Sequence, residues 1–257
     1  MNQNNKTMAK SVKHSGHLGD VIYSLSFVKQ MNERVDYYIG FDRISTIANH
    51  PSGKYTMNES SYAYILPLLE HQEYIGEVYK HRNQNIDYDL DIFRDKGFSL
   101  GAYDLRKWYE LVYPLTSVDI GEPAIHCDLP FLEYLNDKIV INLSLRYRNQ
   151  QIDYSKLKEY ESQIVFVGLE NEYTHFQAFS KLNVKKLHVK DALHMAQIIK
   201  SCKLFIGNQS SSFAIAEQMK TPRALELYND SPNVIVTNNG IAYTNTETLI
   251  NHIKSIL

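Results

Sequence analysis

Cysteine is scarce in this sequence, which has only Cys127 and Cys202 among its 257 residues. Two cysteines so far apart provide neither a disulfide framework nor a closely spaced pair for a metal. Long apolar runs are missing too: none approaches the ~20 residues needed to span a bilayer. The polar start over residues 1–10 lacks the apolar centre of a signal peptide. These absences predict a protein of a reducing, cytoplasmic compartment.

A charge excess of either sign is also lacking, because 27 Lys and Arg residues stand against 29 Asp and Glu residues. A nearly balanced chain has no overall field to attract nucleic acid. Hydrophobic residues at 44% are typical of a globular protein and argue against disorder over most of the length. The length allows two modest domains or one large one, since single cores tend to split beyond ~250 residues.

Strand-like and helix-like patterns alternate along both halves of the chain. In the first half, strands are predicted at 10–14, 35–41, 77–80 and 86–93, and helices at 21–31, 62–70 and 103–113. A segment with Gly121, Pro123 and Pro130, over residues 116–130, is the predicted linker. In the second half, strands are predicted at 138–143, 164–168, 185–189, 204–207, 223–227 and 234–236, and helices at 172–180, 192–201, 212–219 and 246–256, with a polar loop between the first two strands. This order predicts an α/β protein with mostly parallel sheets, in domains 1–125 and 126–257.

Ligands of such sheets bind beyond the carboxyl ends of the strands, so the loops there are the candidate sites. The first loop contains Gly19 and Asp20 just before a helix. Asp20 is a candidate general base, which would take a proton from an acceptor hydroxyl. Alternatively, it caps the helix by accepting bonds from the free N–H groups. His14 and His17 flank this loop as possible substrate contacts or as ordinary polar loop residues.

Two further loops could hold phosphate groups. Arg146 and Arg148 follow the strand at 138–143 and could grip a diphosphate, or they could be solvated loop charges. Asn208 and Gln209 lead into a run of serines that opens a helix. Glycine, hydroxyls and a helix N-terminus suit a phosphate cradle, although a serine-capped helix without a ligand would look the same. The members of the run are Ser210, Ser211 and Ser212.

Two residues at strand ends are candidates for contacts with a nucleoside. Gly168 ends the strand at 164–168, and Glu226 lies near the end of the strand at 223–227. A carboxylate at this position can accept hydrogen bonds from ribose hydroxyls, or it can be an ordinary polar strand end. The sequence has no zincin, Walker-type or hydrolase-elbow motif and no acidic cluster spaced for a metal, so no metal or cofactor is expected.

Two segments together resemble the heptosyltransferase family of inverting GT-B glycosyltransferases. They are GDVIYSLSFVKQM over residues 19–31 and AQIIKSCKLFIGNQSSSFAIAEQMKTPRALELY over residues 196–228. The resemblance implies two Rossmann-like domains facing a central cleft, with Asp20 as the catalytic base and the second segment binding the donor. Three positions differ from the family pattern, namely Gln209 for an acidic residue, Ser211 for glycine and Ala214 for histidine. The family's lysine after the first strand of the second domain has no counterpart, so Arg146 or Arg148 would replace it.

The resulting prediction is a metal-independent, inverting glycosyltransferase. Its donor would be a nucleotide-sugar, and its acceptor hydroxyl could belong to a glycan, a lipid-linked glycan or a modified nucleobase. One alternative is a nucleotide-sugar epimerase or hydrolase on the same scaffold, because a fold does not fix a reaction. Another is an inactive nucleotide-sugar-binding protein, with which the changes at Gln209 and Ala214 are compatible.

Overall fold

The computed structural model describes residues 9–48, 50–97, 103–114 and 116–257. Its strands form two separate parallel sheets, one from each half of the chain. This confirms the predicted α/β class with mostly parallel sheets. Within the described ranges, no helix combines the length and the apolar character needed to cross a membrane.

The first sheet has four strands in the order β3-β2-β1-β4. They are β1 Lys10–His14, β2 Val35–Ile39, β3 Ile75–Lys80 and β4 Tyr88–Asp89. Its helices are α1 Leu18–Gln30, α2 Glu59–Glu70 and α3 Leu105–Val112. Alternate residues of β2, namely Val35, Tyr37 and Ile39, are fully buried, as expected for a sheet with a helix-covered face.

The second sheet has six parallel strands in the order β10-β9-β8-β5-β6-β7. They are β5 Ile139–Asn142, β6 Ile164–Val167, β7 Lys185–Leu187, β8 Leu204–Asn208, β9 Arg223–Glu226 and β10 Gly240–Tyr243. The helices of this half are α4 Glu170–Ser180, α5 Ala192–Ser201, α6 Ser211–Met219 and α7 Thr246–Ile256. Every residue of β5, β6 and β8 is buried, because helices cover both faces of the sheet.

The two halves share one hydrophobic core, in which α1 packs on α6 and α2 packs on α5. Gln218 of α6 is fully buried at this contact. Its side-chain amide donates to the carbonyls of Ile22 at 3.0 Å and Tyr23 at 3.3 Å, and accepts from Ser26 at 2.8 Å. Because an unpaired amide here would be costly, these bonds fix how α6 lies on α1.

A buried ionic network also crosses between the halves. The Arg106 guanidinium of α3 bonds Asp104 and Glu217, each at 2.8 Å, and Glu217 accepts from Arg223 at 2.7 Å. Arg106, Glu217 and Arg223 are all fully buried. Removing one partner of such a network leaves an uncompensated charge, so the network holds the two halves in a fixed arrangement.

The same network explains why the predicted strand at 234–236 is wrong. The N–H of Ile235 donates to Asp104 at 2.7 Å, and its carbonyl accepts from Arg106 at 2.6 Å. Backbone groups engaged by side chains cannot pair with a neighbouring strand. The chain instead forms β10, which starts six residues later than the predicted strand and pairs with β9.

Two other predictions of secondary structure are wrong. The predicted strand at 86–93 is reduced to β4, because Asp89 accepts from the N–H of Asp91 at 3.0 Å and starts a 3-10 helix over Leu90–Lys96. The predicted polar loop between β5 and β6 contains a 3-10 helix over Tyr154–Gln163, which Asp153 caps.

The predicted linker over 116–130 contacts both halves of the molecule. On the first half, Lys29 donates to the carbonyl of Pro123 at 2.7 Å. The N–H groups of Ala124 and Ile125 both donate to the carbonyl of Gln218, at 2.8 and 3.1 Å. The last helix before this segment ends at Val112, and the first strand after it starts at Ile139. The boundary between residues 125 and 126 lies within this interval and stays a prediction.

Candidate functional site

A cleft of about 660 Å³ lies between the two halves. Its walls come from loops and helix starts beyond the carboxyl ends of strands in both sheets. The first half contributes residues 17–20 and the start of α2, and the second half contributes the loop after β5, the start of α4 and the start of α6. A cavity of this size is in the usual range for a bound small molecule.

The first wall is built around the start of α1. His17 is the last residue before the helix, and its N–H donates to the Asp20 Oδ2 atom at 3.2 Å. Asp20 is the third residue of α1 and stabilises the helix start by accepting the N–H of His17, but it is not the N-cap that the capping alternative predicts, because the helix begins at Leu18. Its side chain also lines the cleft. This stabilising role and the base role are thus compatible in one carboxylate.

Asp20 is paired with Arg94, a residue that the sequence analysis did not single out. The Arg94 Nη2 atom lies 2.6 Å from Asp20 Oδ2, and both side chains are about one-fifth exposed, at 22% and 23%. Burial by itself would raise the pKa of Asp20, but the Arg94 guanidinium and the nearby His14 and His17 hold that pKa below its ordinary value. Asp20 is therefore ionised at neutral pH.

A second carboxylate, that of Asp91, lies close to the Arg94 guanidinium. Asp91 Oδ1 lies 3.8 Å from the Arg94 Nε atom and accepts the N–H of Ser15 at 3.1 Å. Lys13 approaches the same carboxylate at 3.4 Å. Arg94 also lies over the Phe93 ring, with its guanidinium carbon 4.5 Å from the ring centroid. The guanidinium is thus held between two carboxylates and an aromatic face.

His14 is fully buried and does not reach the cleft, so its prediction as a substrate contact is wrong. Its Nδ1 accepts the N–H of Gly16 at 2.8 Å, and its Nε2 lies 2.9 Å from the Tyr109 hydroxyl. That hydroxyl donates to the carbonyl of Asp20 at 3.1 Å. Burial lowers the pKa of His14 to about 4, so the ring is neutral at pH 7. His14 stabilises the loop that carries Asp20.

His17 does line the cleft, where its ring lies 4.0 Å from the ring of His50, centroid to centroid. Its Nε2 atom is 3.2 Å from the Ser45 hydroxyl. Burial lowers the pKa of His17 and lowers that of His50 to about 4. Both rings therefore present neutral imidazole to a ligand at pH 7.

Gly16 and Gly19 have different physical reasons to be glycine. A Cβ atom on Gly16 would lie 2.5 Å from the His14 ring, 2.6 Å from the Asp20 carboxylate and 2.7 Å from the Arg94 guanidinium. A Cβ atom on Gly19 would meet nothing within 4 Å. Gly19 lines the cleft, so its missing side chain leaves room for a ligand.

On the opposite wall, Arg146 follows β5 and lines the cleft. Within the described ranges, its guanidinium has no carboxylate within salt-bridge distance; it lies over the Tyr147 ring, 5.5 Å from the centroid. A guanidinium without an internal partner is available to bind an anion. Arg146 and Asp20 thus face the same cleft from opposite halves of the chain.

Arg148 and Glu226 are not at the cleft, and their predicted contacts with a ligand are wrong. The Arg148 Nε atom donates to Glu226 Oε1 at 2.9 Å, and Glu226 is fully buried. Glu226 also accepts from the N–H of Asn149 and from the Tyr154 hydroxyl, both at 2.6 Å. The two charges compensate each other inside the second half, so neither a diphosphate nor a ribose can use them.

Asn208 and Gln209 organise loops next to the cleft. Asn208 is fully buried; its Oδ1 atom accepts from the N–H of Ser144 at 2.9 Å, and its amide donates to the carbonyl of Arg146 at 2.5 Å. Gln209 lines the cleft, but its amide donates to Ser231 at 2.6 Å and to Asn233 at 2.8 Å. Asn208 therefore positions the arginine loop, and Gln209 positions the loop after β9.

The three predicted serines line the cleft at the start of α6. Ser210 caps the helix: its hydroxyl accepts from the N–H of Phe213 at 3.3 Å and donates to Asn142 at 2.9 Å. Within the described part of the chain, the hydroxyls of Ser211 and Ser212 have no hydrogen-bond partner. The first turn of a helix also leaves N–H groups free for an anion. The capping interpretation is confirmed for Ser210, and the phosphate cradle stays a prediction.

Gly168 lines the cleft at the end of β6 and has a φ of 148°, which favours glycine. A Cβ atom there would lie 2.7 Å from the Glu172 Oε2 atom. Glu172 was not predicted; it lines the cleft and accepts the N–H of Leu169 at 2.8 Å. Burial raises its pKa. Lys186 also lines the cleft and pairs with Glu170 at 2.5 Å.

The described ranges contain no group of three or more His, Cys, Asp or Glu residues arranged to hold a metal ion.

Several solved structures of glycosyltransferases have a similar fold. A glycosyl transferase family 9 protein from Veillonella parvula matches with a TM-score of 0.59 and 12% identity, over 96% of this chain and 90% of that one. The heptosyltransferase WaaC of E. coli with ADP matches with a TM-score of 0.62 and 8% identity, over 97% of this chain and all of that one. WaaC with ADP-2-deoxy-2-fluoro heptose gives a TM-score of 0.55 and 9% identity, over 96% of this chain and 98% of that one.

No protein-family model and no curated protein sequence matches the chain. At such low identities, the structural likeness establishes the fold. The chain therefore has the predicted GT-B architecture, with two Rossmann-like halves and a cleft between them.

Proposed function

We propose that the protein is an inverting glycosyltransferase that moves a sugar from a nucleotide-sugar to an acceptor hydroxyl. One observation carries the proposal: an ionised carboxylate, Asp20, and Arg146, an arginine with no carboxylate partner among the described residues, line the same cleft from opposite halves. A base and an anion-binding group on facing walls are what the transfer requires.

The donor diphosphate would lie between Arg146 and the first turn of α6. The guanidinium provides charge-assisted hydrogen bonds, and the free N–H groups and the hydroxyls of Ser211 and Ser212 add further donors. The nucleoside would extend toward Gly168 and Glu172. A donor of this chemical class is supported by the similar fold of WaaC, which was solved with ADP and with ADP-2-deoxy-2-fluoro heptose.

In the proposed reaction, the acceptor oxygen forms a bond to the anomeric carbon on the face opposite the diphosphate. The bond between that carbon and the phosphate oxygen breaks, and its electron pair leaves with the diphosphate. The hydroxyl proton passes to Asp20. Arg146 stabilises the negative charge that develops on the leaving group, so the proposed reaction uses no metal.

The pairing with Arg94 affects when the proton moves. A carboxylate whose pKa lies below its ordinary value is a weak base. Proton transfer to it becomes favourable only as bond formation to the anomeric carbon acidifies the acceptor hydroxyl. Within this proposal, we therefore expect the proton to move late in the reaction.

A thermal-shift screen against nucleoside diphosphates and their sugars tests the proposal. A ligand that binds only the folded state raises the melting temperature. We expect one nucleoside diphosphate to stabilise the protein, and the Arg146→Ala variant to lose that shift. Stabilisation by none of them would contradict the proposal.

Incubation of the stabilising nucleotide-sugar without an acceptor distinguishes transfer from the alternatives. A transferase should leave the donor largely intact until an acceptor is added. Rapid conversion of the donor alone would instead indicate an epimerase or a hydrolase. Binding without turnover over a broad acceptor panel would indicate an inactive binding protein.

A further inference from the structure

Three hydroxyl groups of α2 form one surface of the cleft. Ser60, Ser61 and Tyr64 all line it. Residues three and four apart lie on the same side of a helix, so Tyr64 is next to both serines. This surface belongs to the same half as Asp20, opposite the wall that carries Arg146.

The three hydroxyls are uncommitted, because none has a hydrogen-bond partner within the described ranges. The helix start itself is already satisfied by the protein: Asn58 accepts the N–H of Ser61 at 2.8 Å, and its amide donates to the carbonyl of Ser52 at 3.0 Å. A ligand at this surface would therefore bond to the hydroxyl groups. Uncommitted hydroxyls that both donate and accept suit a partner that is itself rich in hydroxyls.

The first half contributes no Lys or Arg to the described lining of the cleft. The Arg94 guanidinium is engaged by Asp20 and lies close to Asp91, and the Arg43 Nε atom lies 3.8 Å from the same Asp91 carboxylate. Among the residues of this half that lie outside the described ranges, Asn49 and residues 98–102 carry no charged side chain, whereas residues 1–8 include Lys6. His17 and His50 are neutral at pH 7 because burial lowers their pKa values.

The Asp20 charge is already paired with Arg94, so this wall offers an anion no free cation among the described residues. An anionic acceptor would therefore find no partner of opposite charge among the described residues of its own side of the cleft. The opposite wall differs, since Arg146 has no carboxylate partner among the described residues. The two walls are therefore suited to different ligands, an anion on one side and a neutral molecule on the other.

We propose that Ser60, Ser61 and Tyr64 form the acceptor site and that the acceptor is an uncharged, hydroxyl-rich compound such as a neutral sugar. This inference rests on the proposed function, because it concerns the second substrate of the same cleft. It narrows the acceptor classes that the sequence leaves open.

Matched acceptors test the charge preference. The probes are the p-nitrophenyl glycosides of glucose, galactose and mannose beside the corresponding uronides, each assayed with the nucleotide-sugar found in the thermal-shift screen. A carboxylate that enters the cleft loses its hydration and gains no cation in return, so kcat/KM for a neutral glycoside should exceed that for its uronide by at least about tenfold. Transfer that favours the uronides, or transfer to no neutral member, would overturn the inference.

Two tyrosines of the same helix test the site. Tyr64→Phe removes a hydroxyl from the cleft, whereas Tyr62→Phe makes the same chemical change on a side chain that does not line it. Loss of one neutral hydrogen bond predicts a rise of roughly fivefold in the acceptor KM for Tyr64→Phe. The donor KM should stay unchanged in both variants. Equal acceptor KM values in the two variants would contradict the site.

A charge-gain variant separates this inference from the proposed function. Ser61→Lys places a cation on the acceptor wall and should raise transfer to the uronides, while Ser61→Gln, a neutral residue of similar reach, should not. If the wild-type protein neither bound a nucleotide-sugar nor turned it over, the proposed function itself would be refuted. A wild-type enzyme that transfers equally well to both acceptor classes would refute only the acceptor assignment.

Discussion

The Asp20 carboxylate and the Arg94 guanidinium lie 2.6 Å apart at the edge of the cleft, although 74 residues separate them in the chain. The Arg94 Nε atom in turn lies 3.8 Å from Asp91 Oδ1, so the guanidinium is held between two carboxylates. The base proposed for the reaction is thus held in place by a cation from another element of the same half.

Removing Arg94 should change the pH dependence of transfer. The charge of Arg94 lowers the pKa of Asp20, so Arg94→Met should raise it. A base works only when ionised, and the acid limb of kcat/KM should therefore move to higher pH. The control is Arg82→Met, because Arg82 is exposed and does not line the cleft. An unchanged acid limb in Arg94→Met would mean that the pair does not control the base.

Arg146 and Arg148 should give opposite results when each is changed to alanine. Arg146→Ala removes charge-assisted hydrogen bonds to the diphosphate, so donor affinity measured by titration calorimetry should fall about 10- to 100-fold, with an unchanged melting temperature. Arg148→Ala leaves the buried Glu226 without its cation. The free energy of unfolding should then fall by about 3 kcal/mol, measured by urea denaturation. Similar donor affinities in the two variants would contradict the assignment.

These two arginines show the limit of sequence analysis at the site. They lie two residues apart in one loop, and the sequence gives both the same prediction. Tyr147 between them has a φ of 53°, in the left-handed region, and the two arginine side chains have different surroundings. No sequence pattern predicts that a tyrosine adopts the left-handed backbone conformation. Arg94 was missed for a similar reason, because only the tertiary fold brings its 3-10 helix to α1.

The fold was more predictable than the site. Strands β5, β6 and β8 are runs of buried apolar residues, so the sequence predicts where they lie. The loops that follow these strands line the cleft, and the sequence therefore also predicts its position. The strand predicted at 234–236 has the same composition but is wrong, because Asp104 and Arg106 bond its backbone. Side-chain bonds from a segment 130 residues away cannot be read from local pattern.

Alanine substitutions at Gly16 and Gly19 should affect different properties, namely stability at Gly16 and ligand binding at Gly19. Gly16→Ala places a methyl group against His14, Asp20 and Arg94, and overpacking of this kind typically costs about 1–3 kcal/mol. Gly19→Ala meets no protein atom, so its melting temperature should match that of the wild type. Its methyl group projects into ligand space, and transfer should weaken. A stable Gly16→Ala variant with full activity would contradict the crowding around the ion pair.

Stability should decline in mild acid because of His14. Its pKa is about 4 in the folded protein, against an ordinary value near 6.5, so the unfolded chain binds more protons between these values. Folding stability is therefore lost as the pH falls, by about 2 kcal/mol between pH 7 and pH 5 for this one group. His14→Asn, which can still accept the N–H of Gly16, should show a smaller decline in urea denaturation. An identical pH slope in the two proteins would contradict the buried neutral ring.

Asp20→Asn tests the central claim most directly, because the amide keeps the size of the side chain and removes its basicity. The measurement pairs titration calorimetry of the nucleotide-sugar with the rate of its transfer to an acceptor. We expect donor affinity to stay within about twofold and transfer to fall by at least ~100-fold, the usual contribution of a general base. A variant that binds the donor and transfers the sugar at the wild-type rate would show that Asp20 is not the base.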